Sequence, residues 1–271
     1  MASLSLSLPA FSSSRPLARS SNERQALFSR IAPVYDNLND LLSLGQHRIW
    51  KRMAISWSAA RKGDWVLDLC CGSGDLAFLL SQKVGFEGKE PHIHPGCDRL
   101  LSIVFSRIKM VTGLDFSREQ LSIASARQDS FWKPCYKNIA WIEGDALDLP
   151  FPDSYFDAIT VGYGLRNLVD KHAAMKEVFR VLKPGSRVSI LDFNKSTNSS
   201  VVFIQEWMIN NVVVPVASNY GLAEEYTYLK SSIDNFLTGK ELEKLANELG
   251  FSKARHYEIG GGLMGNLVAT R

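Results

Sequence analysis

The sequence predicts a single α/β domain built on a doubly wound, mostly parallel sheet. Short apolar runs alternate with helical segments from Asp64 onward, and the first run, at 65–69, leads into a glycine turn as buried parallel strands do. Near the end of the chain, two strand-like runs flank three consecutive glycines, which predicts an antiparallel C-terminal hairpin. The chain has 271 residues, of which 45% are hydrophobic, and this supports one large core.

The N-terminal residues differ in composition from the rest of the chain. Residues 1–22 contain no Asp or Glu, are dense in serine and carry Arg15 and Arg19. This composition is typical of an organelle transit peptide, although a disordered tail without a targeting role has the same features. We therefore expect a transit segment at 1–22 and one folded domain at 23–271.

Spaced apolar residues between 22 and 61 predict an N-terminal helical cap, which Pro33 and Gly45 divide into short helices. We expect its last apolar stripe to contact the core; the stripe consists of Ile49, Met53 and Trp57.

The strand and helix periods then alternate to the end of the chain. The predicted strands are 65–69, 110–114, 139–142, 156–161, 187–191, 254–258 and 264–269. The predicted helices are 75–83, 117–128, 171–182, 200–211 and 238–249.

Charge and cysteine content narrow the possible partners. The formal net charge is +3, from 31 basic and 28 acidic residues without a long basic run, so the sequence does not indicate a nucleic-acid partner. The four cysteines suit a reducing compartment, since the adjacent Cys70 and Cys71 are expected to be buried small side chains. No apolar run has the length of a bilayer span, so any membrane contact is expected to be peripheral.

The first motif is the strand and glycine turn from Val66 to Gly74. Glycines at Gly72 and Gly74 allow a ligand to approach the backbone and the N-terminus of the next helix, and Ser73 lies between them. The same glycines with Ala77 also fit a dinucleotide fingerprint, so they do not identify the ligand. Asp68 favours a ligand with an ammonium group over a pyrophosphate, because a carboxylate would repel the phosphates.

Two more carboxylates follow the next two strands. Asp115 is placed to accept hydrogen bonds from ribose hydroxyls, and Asp145 from an adenine amino group, with the Ala146 N–H nearby. Alternatively, Asp115 or Ser117 only caps the next helix, and Asp145 is a turn carboxylate. Three acids at successive strand ends nevertheless indicate one ligand site, because ligands bind at that edge of an α/β sheet.

Three segments carry specific motifs. Residues 35–50 read YDNLNDLLSLGQHRIW, residues 162–167 read GYGLRN, and residues 180–194 read RVLKPGSRVSILDFN. These segments resemble the UbiE/MenG/COQ5 quinone C-methyltransferases. This chain departs from the usual residues of that family at four positions: Leu38 replaces Met, Ser186 replaces Gly, Asp192 replaces Glu and Asn194 replaces Ser. The resemblance covers the chain from Ala26 onward except one segment.

The resemblance implies a class I, Rossmann-like methyltransferase fold and S-adenosylmethionine as the methyl donor. The departures look like the plant branch of the family. With the transit-like start, they imply C-methylation of a prenylated naphthoquinol, demethylphylloquinol to phylloquinol, in a chloroplast. The implied cofactor-binding residues are Asp68, Gly72, Ser73, Gly74, Asp115, Asp145, Ala146 and Gly162. The lipophilic quinol is the expected partner, with possible peripheral contact to a plastid membrane, whereas no metal is required.

The resemblance also implies catalytic residues. The loop at 162–167 would line the quinol pocket, with Arg166 and Asn167 at the reacting ring and Tyr35 orienting a quinol oxygen. Arg166 could instead form a surface ion pair. His47 is a possible base, but a single His near a helix is more often structural.

Residues 90–110 interrupt the spacing between the glycine turn and Asp115, and we interpret them as a dispensable insertion; an unspliced or mispredicted piece of the gene explains them equally well. His92, His94 and Cys97 lie in it without the paired spacing of a metal site. Three other functions stay open: an NAD-dependent reductase, a non-catalytic module that binds S-adenosylmethionine, and methylation of another quinol such as a ubiquinone precursor. The apolar residues at 201–216 either cover the prenyl tail, contact a membrane or pack on the sheet.

Overall fold

The computed structural model describes residues 45–85, 110–218 and 223–271. Its strands are β1 (Val66–Leu69), β2 (Val111–Asp115), β3 (Ile139–Glu143), β4 (Phe156–Gly162), β5 (Leu182–Phe193), β6 (Lys253–Ile259) and β7 (Met264–Thr270). Its α-helices are α1 (Gln46–Trp57), α2 (Asp75–Val84), α3 (Arg118–Ser130), α4 (Lys171–Val181), α5 (Ser199–Met208), α6 (Val214–Ser218), α7 (Ala223–Asp234) and α8 (Gly239–Glu248).

The seven strands form one sheet in the order β3-β2-β1-β4-β5-β7-β6. The first five strands are parallel, and β7 pairs antiparallel with both β5 and β6. The predicted doubly wound sheet and its C-terminal hairpin are therefore confirmed. Strand β7 lies between β5 and β6, and its first residue, Met264, pairs with Phe193 at the end of β5. The Gly260–Gly262 turn that precedes Met264 therefore lies at the edge where the parallel strands end.

Both faces of the central strands are buried, which explains their continuous apolar runs. Leu67 and Leu69 of β1 pack with Met175 of α4 and Leu242 of α8, in a core that contains Phe156. On the opposite face, a second core joins Val66 to α1 and α2. The burial of each such side chain contributes about 1.5–3 kcal/mol, so each strand is held firmly between helical layers.

Side-chain caps fix where several helices begin. The Ser117 hydroxyl accepts a hydrogen bond from the Gln120 N–H, so the alternative that Ser117 caps α3 is confirmed. Asp170 caps α4 in the same way, and Thr238 with Glu241 forms a reciprocal capping box at α8. Both α3 and α4 thereby begin next to the edge of the sheet where the parallel strands end.

Some expectations about the elements were wrong. The stripe with Ile49 is not the buried side of α1, since Ile49 is 49% exposed; His47, Lys51, Ala54 and Ile55 are the buried residues. The sequence patterns also missed α7, and α5 continues through a π-helical turn, Ile209–Val213, beyond the predicted end. Met110 is 4% exposed and accepts a hydrogen bond from the Val66 N–H, so it belongs to the core and not to an insertion.

Several sequence predictions fall outside the described residues: the transit segment, the cap helices before 45, Tyr35, and residues 90–109 with His92, His94 and Cys97. None of the described helices combines the length and the apolar character that a bilayer span requires. The described part of the chain contains no group of three His, Cys, Asp or Glu side chains that could hold a metal ion.

Candidate active site

A cleft of about 870 Å³ lies where the parallel strands end. Its walls come from the segments that follow β1, β2, β3 and β4, as expected for an α/β sheet. The predicted cofactor residues that line it are Asp68, Gly72, Ser73, Asp115, Asp145, Ala146 and Gly162. The structure thus brings together at one cleft seven of the eight residues predicted to bind the cofactor, whereas Gly74, in the same turn, is not among the residues that line it.

The turn after β1 needs glycine for two different reasons. Gly72 and Gly74 have φ angles of 52° and 93°, in the left-handed region that side chains disfavour. A Cβ on Gly74 would also lie 2.5 Å from a ring carbon of Trp141. Cys70 adopts a left-handed φ of 56° just before the turn, and such backbone strain is concentrated at functional sites.

Asp68 is fully buried at the floor of the cleft. The Thr160 hydroxyl donates a hydrogen bond to its Oδ1 at 2.9 Å, whereas Oδ2 has no hydrogen-bond partner among the described residues. Burial raises the pKa of Asp68 to about 7, and the hydrogen bonds from the Thr160 hydroxyl and the Ala77 backbone N–H only partly offset this. A buried carboxylate oxygen without a donor is suited to a cationic ligand group.

Asp115 fastens the glycine turn to β2. Its Oδ2 accepts a hydrogen bond from the Gly72 N–H at 2.8 Å, and its Oδ1 accepts one from the Ser117 N–H at 2.9 Å. Burial raises the pKa of Asp115, and these backbone hydrogen bonds act against the rise. Each oxygen of a carboxylate has two lone pairs, so both can also accept a hydroxyl hydrogen from a ligand.

Asp145 is an exposed turn carboxylate that also lines the cleft. Its Oδ1 accepts a hydrogen bond from the Leu147 N–H at 2.9 Å, which is the turn role considered as the alternative. Ala146 beside it is buried. The two interpretations of Asp145 are therefore compatible, and its contact with an adenine stays a prediction.

Three charged side chains that the sequence did not indicate as site residues lie beside the glycine turn. Lys51 from α1 contacts Asp75 Oδ2 at 2.5 Å, and Arg127 from α3 contacts Asp75 Oδ1 at 2.7 Å. Arg127 also donates to the Ser73 hydroxyl and carbonyl, which holds the turn against α3. Burial alone would raise the pKa of Asp75, but the two cations outweigh it and hold that pKa at about 2.

The loop after β4 faces the glycine turn at close range. Tyr163 has a left-handed φ of 60°, and a Cβ on Gly164 would lie 2.4 Å from the Cβ of Cys70. Gly162 is equally restricted, since its Cβ would lie 2.6 Å from Leu76. The strained tips of β1 and β4 are therefore packed against each other at the centre of the cleft.

Arg166 is buried and does not form the surface ion pair considered as its alternative. It is not among the residues that line the cleft, although its loop neighbours Tyr163, Gly164 and Asn167 are. Its Nη1 donates to Asp192 Oδ1 at 2.6 Å and to the Tyr163 carbonyl at 2.8 Å, and its Nε donates to the Ser232 hydroxyl at 3.2 Å. The guanidinium also lies 5.0 Å from the centre of the Phe193 ring. Asp192 was noted in the sequence only as a departure from the usual Glu, and its pairing over 26 residues gave no local signal.

Asn167 lies on the wall of the cleft itself. Its side-chain N–H donates to the Tyr163 carbonyl at 3.0 Å, and the Tyr228 hydroxyl of α7 lies 3.4 Å from its Oδ1. His47 is buried in α1 and is not among the residues that line the cleft, and its role as a base or as a structural residue stays a prediction.

Comparison with known proteins gives matches over nearly the whole chain. A family model described as the ubiE/COQ5 methyltransferase family matches residues 18–271. The chain is 65% identical over 257 residues to the chloroplastic 2-phytyl-1,4-beta-naphthoquinone methyltransferase of Arabidopsis thaliana, covering 95% of this chain and 90% of that protein. It is 48% identical over 251 residues to the 2-phytyl-1,4-naphtoquinone methyltransferase of Nostoc punctiforme, covering 92% and 99% of the two chains.

Solved structures match the fold at low sequence identity. A SAM-dependent methyltransferase from Aquifex aeolicus aligns with a TM-score of 0.55 at 17% identity, covering 86% of this chain and 96% of that one. An enzyme described as a possible S-adenosylmethionine-dependent methyltransferase from Methanococcus maripaludis aligns with a TM-score of 0.57 at 18% identity, covering 90% and 94%. These matches agree with the predicted class I fold.

Proposed function

The chain belongs to the ubiE/COQ5 methyltransferase family, and from this premise we propose that it methylates a ring carbon of a prenylated naphthoquinol with S-adenosylmethionine. The proposed reaction converts demethylphylloquinol to phylloquinol in the chloroplast, as the names of the Arabidopsis and Nostoc relatives suggest. The observation that carries the proposal is the set of carboxylates at three successive strand ends, around one cleft.

The charges of the cleft fit this cofactor better than a dinucleotide. S-adenosylmethionine has a sulfonium, an ammonium group and a ribose but no phosphate, so three nearby carboxylates attract it. The same carboxylates would repel a pyrophosphate at the glycine turn. The unpartnered Oδ2 of Asp68 suits the ammonium group, and Asp115 suits the ribose hydroxyls. This argues against the NAD-dependent reductase.

When bound, S-adenosylmethionine supplies an electrophilic methyl group. The task of the protein is to make the ring carbon nucleophilic, which requires the neighbouring hydroxyl to lose its proton. We assign to Arg166 the stabilisation of the resulting quinolate oxygen, or of a water that accepts the proton, because an arginine does not readily lose its own proton. Its charge would act from within the loop whose neighbouring residues, Gly164 and Asn167, line the cleft. Asp192 holds the Arg166 guanidinium in one orientation, so the positive charge is preorganised.

Asn167 and the strained loop around it position the ring. Because Asn167 lines the cleft and is anchored on the Tyr163 carbonyl, it is placed to donate to a quinol oxygen. Leu168 and Val169 extend the same wall with apolar side chains, which suit an aromatic ring and the start of a prenyl tail. We expect Tyr35 to assist in orienting the quinol.

The test is methyl transfer from labelled S-adenosylmethionine to demethylphylloquinone, supplied reduced or oxidised, with mass spectrometry of the product. The proposal predicts one methyl on the ring of the reduced substrate and none on the oxidised substrate, because only the quinol can form a quinolate. Labelled product from the oxidised ring alone, or from neither, would disprove the proposed reaction.

We also propose peripheral contact with a membrane through an apolar surface of α5. Phe203 and Trp207 are 68% and 53% exposed, and Ile204 is half exposed between them. Since α5 follows the end of β5, this surface lies at the same edge of the sheet as the cleft. A substrate with a long prenyl tail resides in lipid, so a membrane at this edge could deliver it.

Co-sedimentation with vesicles of phosphatidylcholine and phosphatidylglycerol tests this contact. A variant with Phe203→Ser and Trp207→Ser should lose binding. Trp132→Ser is the matched control, because Trp132 is 87% exposed but follows α3 at the opposite edge of the sheet. Equal vesicle binding by all variants would exclude α5 as the contact surface.

A further inference from the structure

Lys51 is a buried cation on the wall of the cleft. Among the described residues that line the cleft, Lys51 and Arg118 carry a positive charge. The Arg118 side chain is 81% exposed and pairs with Glu143, the last residue of β3, at the end of the cleft assigned to the adenine. The Lys51 side chain is only 8% exposed, and its ion pair with Asp75 places it beside the glycine turn. A buried lysine is unusual, so it calls for a specific anionic environment.

Asp75 does not neutralise the positive charge around it. Lys51 and Arg127 contact the two different oxygens of the same carboxylate, so these three side chains have a net charge of +1. The ammonium of Lys51 has three N–H donors, and Asp75 accepts from one of them. The N-terminus of α2 adds positive potential at this point, because Asp75 is its first residue.

The cleft therefore has opposite charges at its glycine-turn end. Asp68 offers an unpartnered carboxylate oxygen, and Lys51 offers an ammonium within a net positive cluster. The aminoacyl end of S-adenosylmethionine is a zwitterion, with an ammonium and a carboxylate on one carbon. We infer that Lys51 binds the carboxylate of this aminoacyl end while Asp68 binds its ammonium group; the inference rests on the proposed function.

This inference also gives α1 a direct role in cofactor binding. Lys51 is presented by α1, which precedes β1 and packs on α2 through Ile55. The ring of Tyr163, from the loop that carries Arg166, lies 5.9 Å from the Lys51 ammonium. A cofactor carboxylate at Lys51 would thus connect the N-terminal helix, the glycine turn and the substrate loop.

The experiment compares two ligands that differ by one carboxylate: S-adenosylhomocysteine and its decarboxylated analogue. Both are titrated by calorimetry into the full chain and into Lys51→Met, which keeps the unbranched stem of the side chain without its ammonium group. We expect S-adenosylhomocysteine to bind Lys51→Met about 10- to 100-fold more weakly, the usual effect of a charge-assisted hydrogen bond. The analogue should bind the two proteins equally. Arg52→Met, an exposed neighbour on α1, is the matched control and should change neither affinity.

Equal losses for both ligands would show that Lys51 is only structural, and no loss for either would exclude its contact with the carboxylate. If Lys51→Met does not fold, the unmodified protein still decides: it should prefer S-adenosylhomocysteine to the analogue at least tenfold, and equal affinities would overturn the inference. Failure of the unmodified protein to bind S-adenosylhomocysteine at all would instead contradict the proposed function.

Discussion

The pKa of Asp68 predicts that cofactor affinity depends on pH in the neutral range. With a pKa of about 7 in the unliganded cleft, Asp68 is mostly ionised at pH 8 and mostly protonated at pH 6. If only the carboxylate binds the ammonium group, the apparent affinity for S-adenosylhomocysteine is reduced by the fraction ionised. This fraction falls about tenfold between pH 8 and pH 6 for a pKa near 7. Binding should also release a proton at pH 6.

Calorimetry at pH 6, 7 and 8, in buffers with different ionisation enthalpies, measures both the affinity and the proton release. Asp68→Asn is the matched variant, because the amide keeps the shape without the titration; it should bind weakly and with little dependence on pH. An affinity that does not change between pH 6 and 8 in the unmodified protein would refute the assignment of Asp68 to the ammonium group.

The same pKa has a consequence for the stability of the unliganded protein. Because the folded state raises the pKa of Asp68 above its usual value of 3.8, folding takes up a proton between about pH 4 and 7. The stabilisation from this group is complete below pH 4 and is lost as the pH rises through 7. Thermal unfolding should therefore show a smaller decline of Tm from pH 5 to 8 in Asp68→Asn.

Three more predictions concern the substrate loop, the glycine turn and the segment before β2. Arg166→Ala should lower kcat about 100-fold or more but leave the affinity for S-adenosylhomocysteine almost unchanged, since its charge acts on the quinol oxygen; an equal loss of cofactor affinity would contradict this role. Gly74→Ala should lower the free energy of unfolding by about 1–3 kcal/mol, because the added methyl group overpacks against Trp141, and it should also weaken cofactor binding. Gly185→Ala has open space around it, so it should lower the free energy of unfolding by only about 1 kcal/mol, from backbone strain. Denaturant unfolding measures the stability of both variants, and equal losses would exclude overpacking as the cause of the Gly74→Ala effect. Deletion of 90–109 should preserve cofactor affinity by calorimetry, and a collapse of binding would show that this segment is needed.

Periodicity and motif chemistry were sufficient to predict the sheet and the carboxylates at its edge. The strands that were predicted best are the buried ones, such as β1 and β2, because a short, continuous apolar run is typical of a parallel strand that is covered on both faces. Asp68 and Asp115 could be assigned to one cleft for a related reason, since their positions at strand ends determine which edge they occupy.

The contacts that hold the catalytic side chains could not be predicted. The Arg166–Asp192 and Lys51–Asp75 pairs join residues 26 and 24 positions apart, and a charged residue in the sequence does not reveal its partner in the fold. The buried face of α1 was wrong for a related reason. Lys51 is buried because a cleft and a carboxylate receive it, whereas a hydrophobic pattern assigns it to the surface.

We propose that the strand-end carboxylates make the cleft selective for a phosphate-free, positively charged nucleoside. The most direct measurement titrates S-adenosylmethionine and NADH into the protein and into Asp115→Asn. The structure predicts binding of S-adenosylmethionine that Asp115→Asn weakens, and no binding of NADH. Tight binding of NADH, or cofactor affinity that survives the loss of Asp115, would contradict this selectivity.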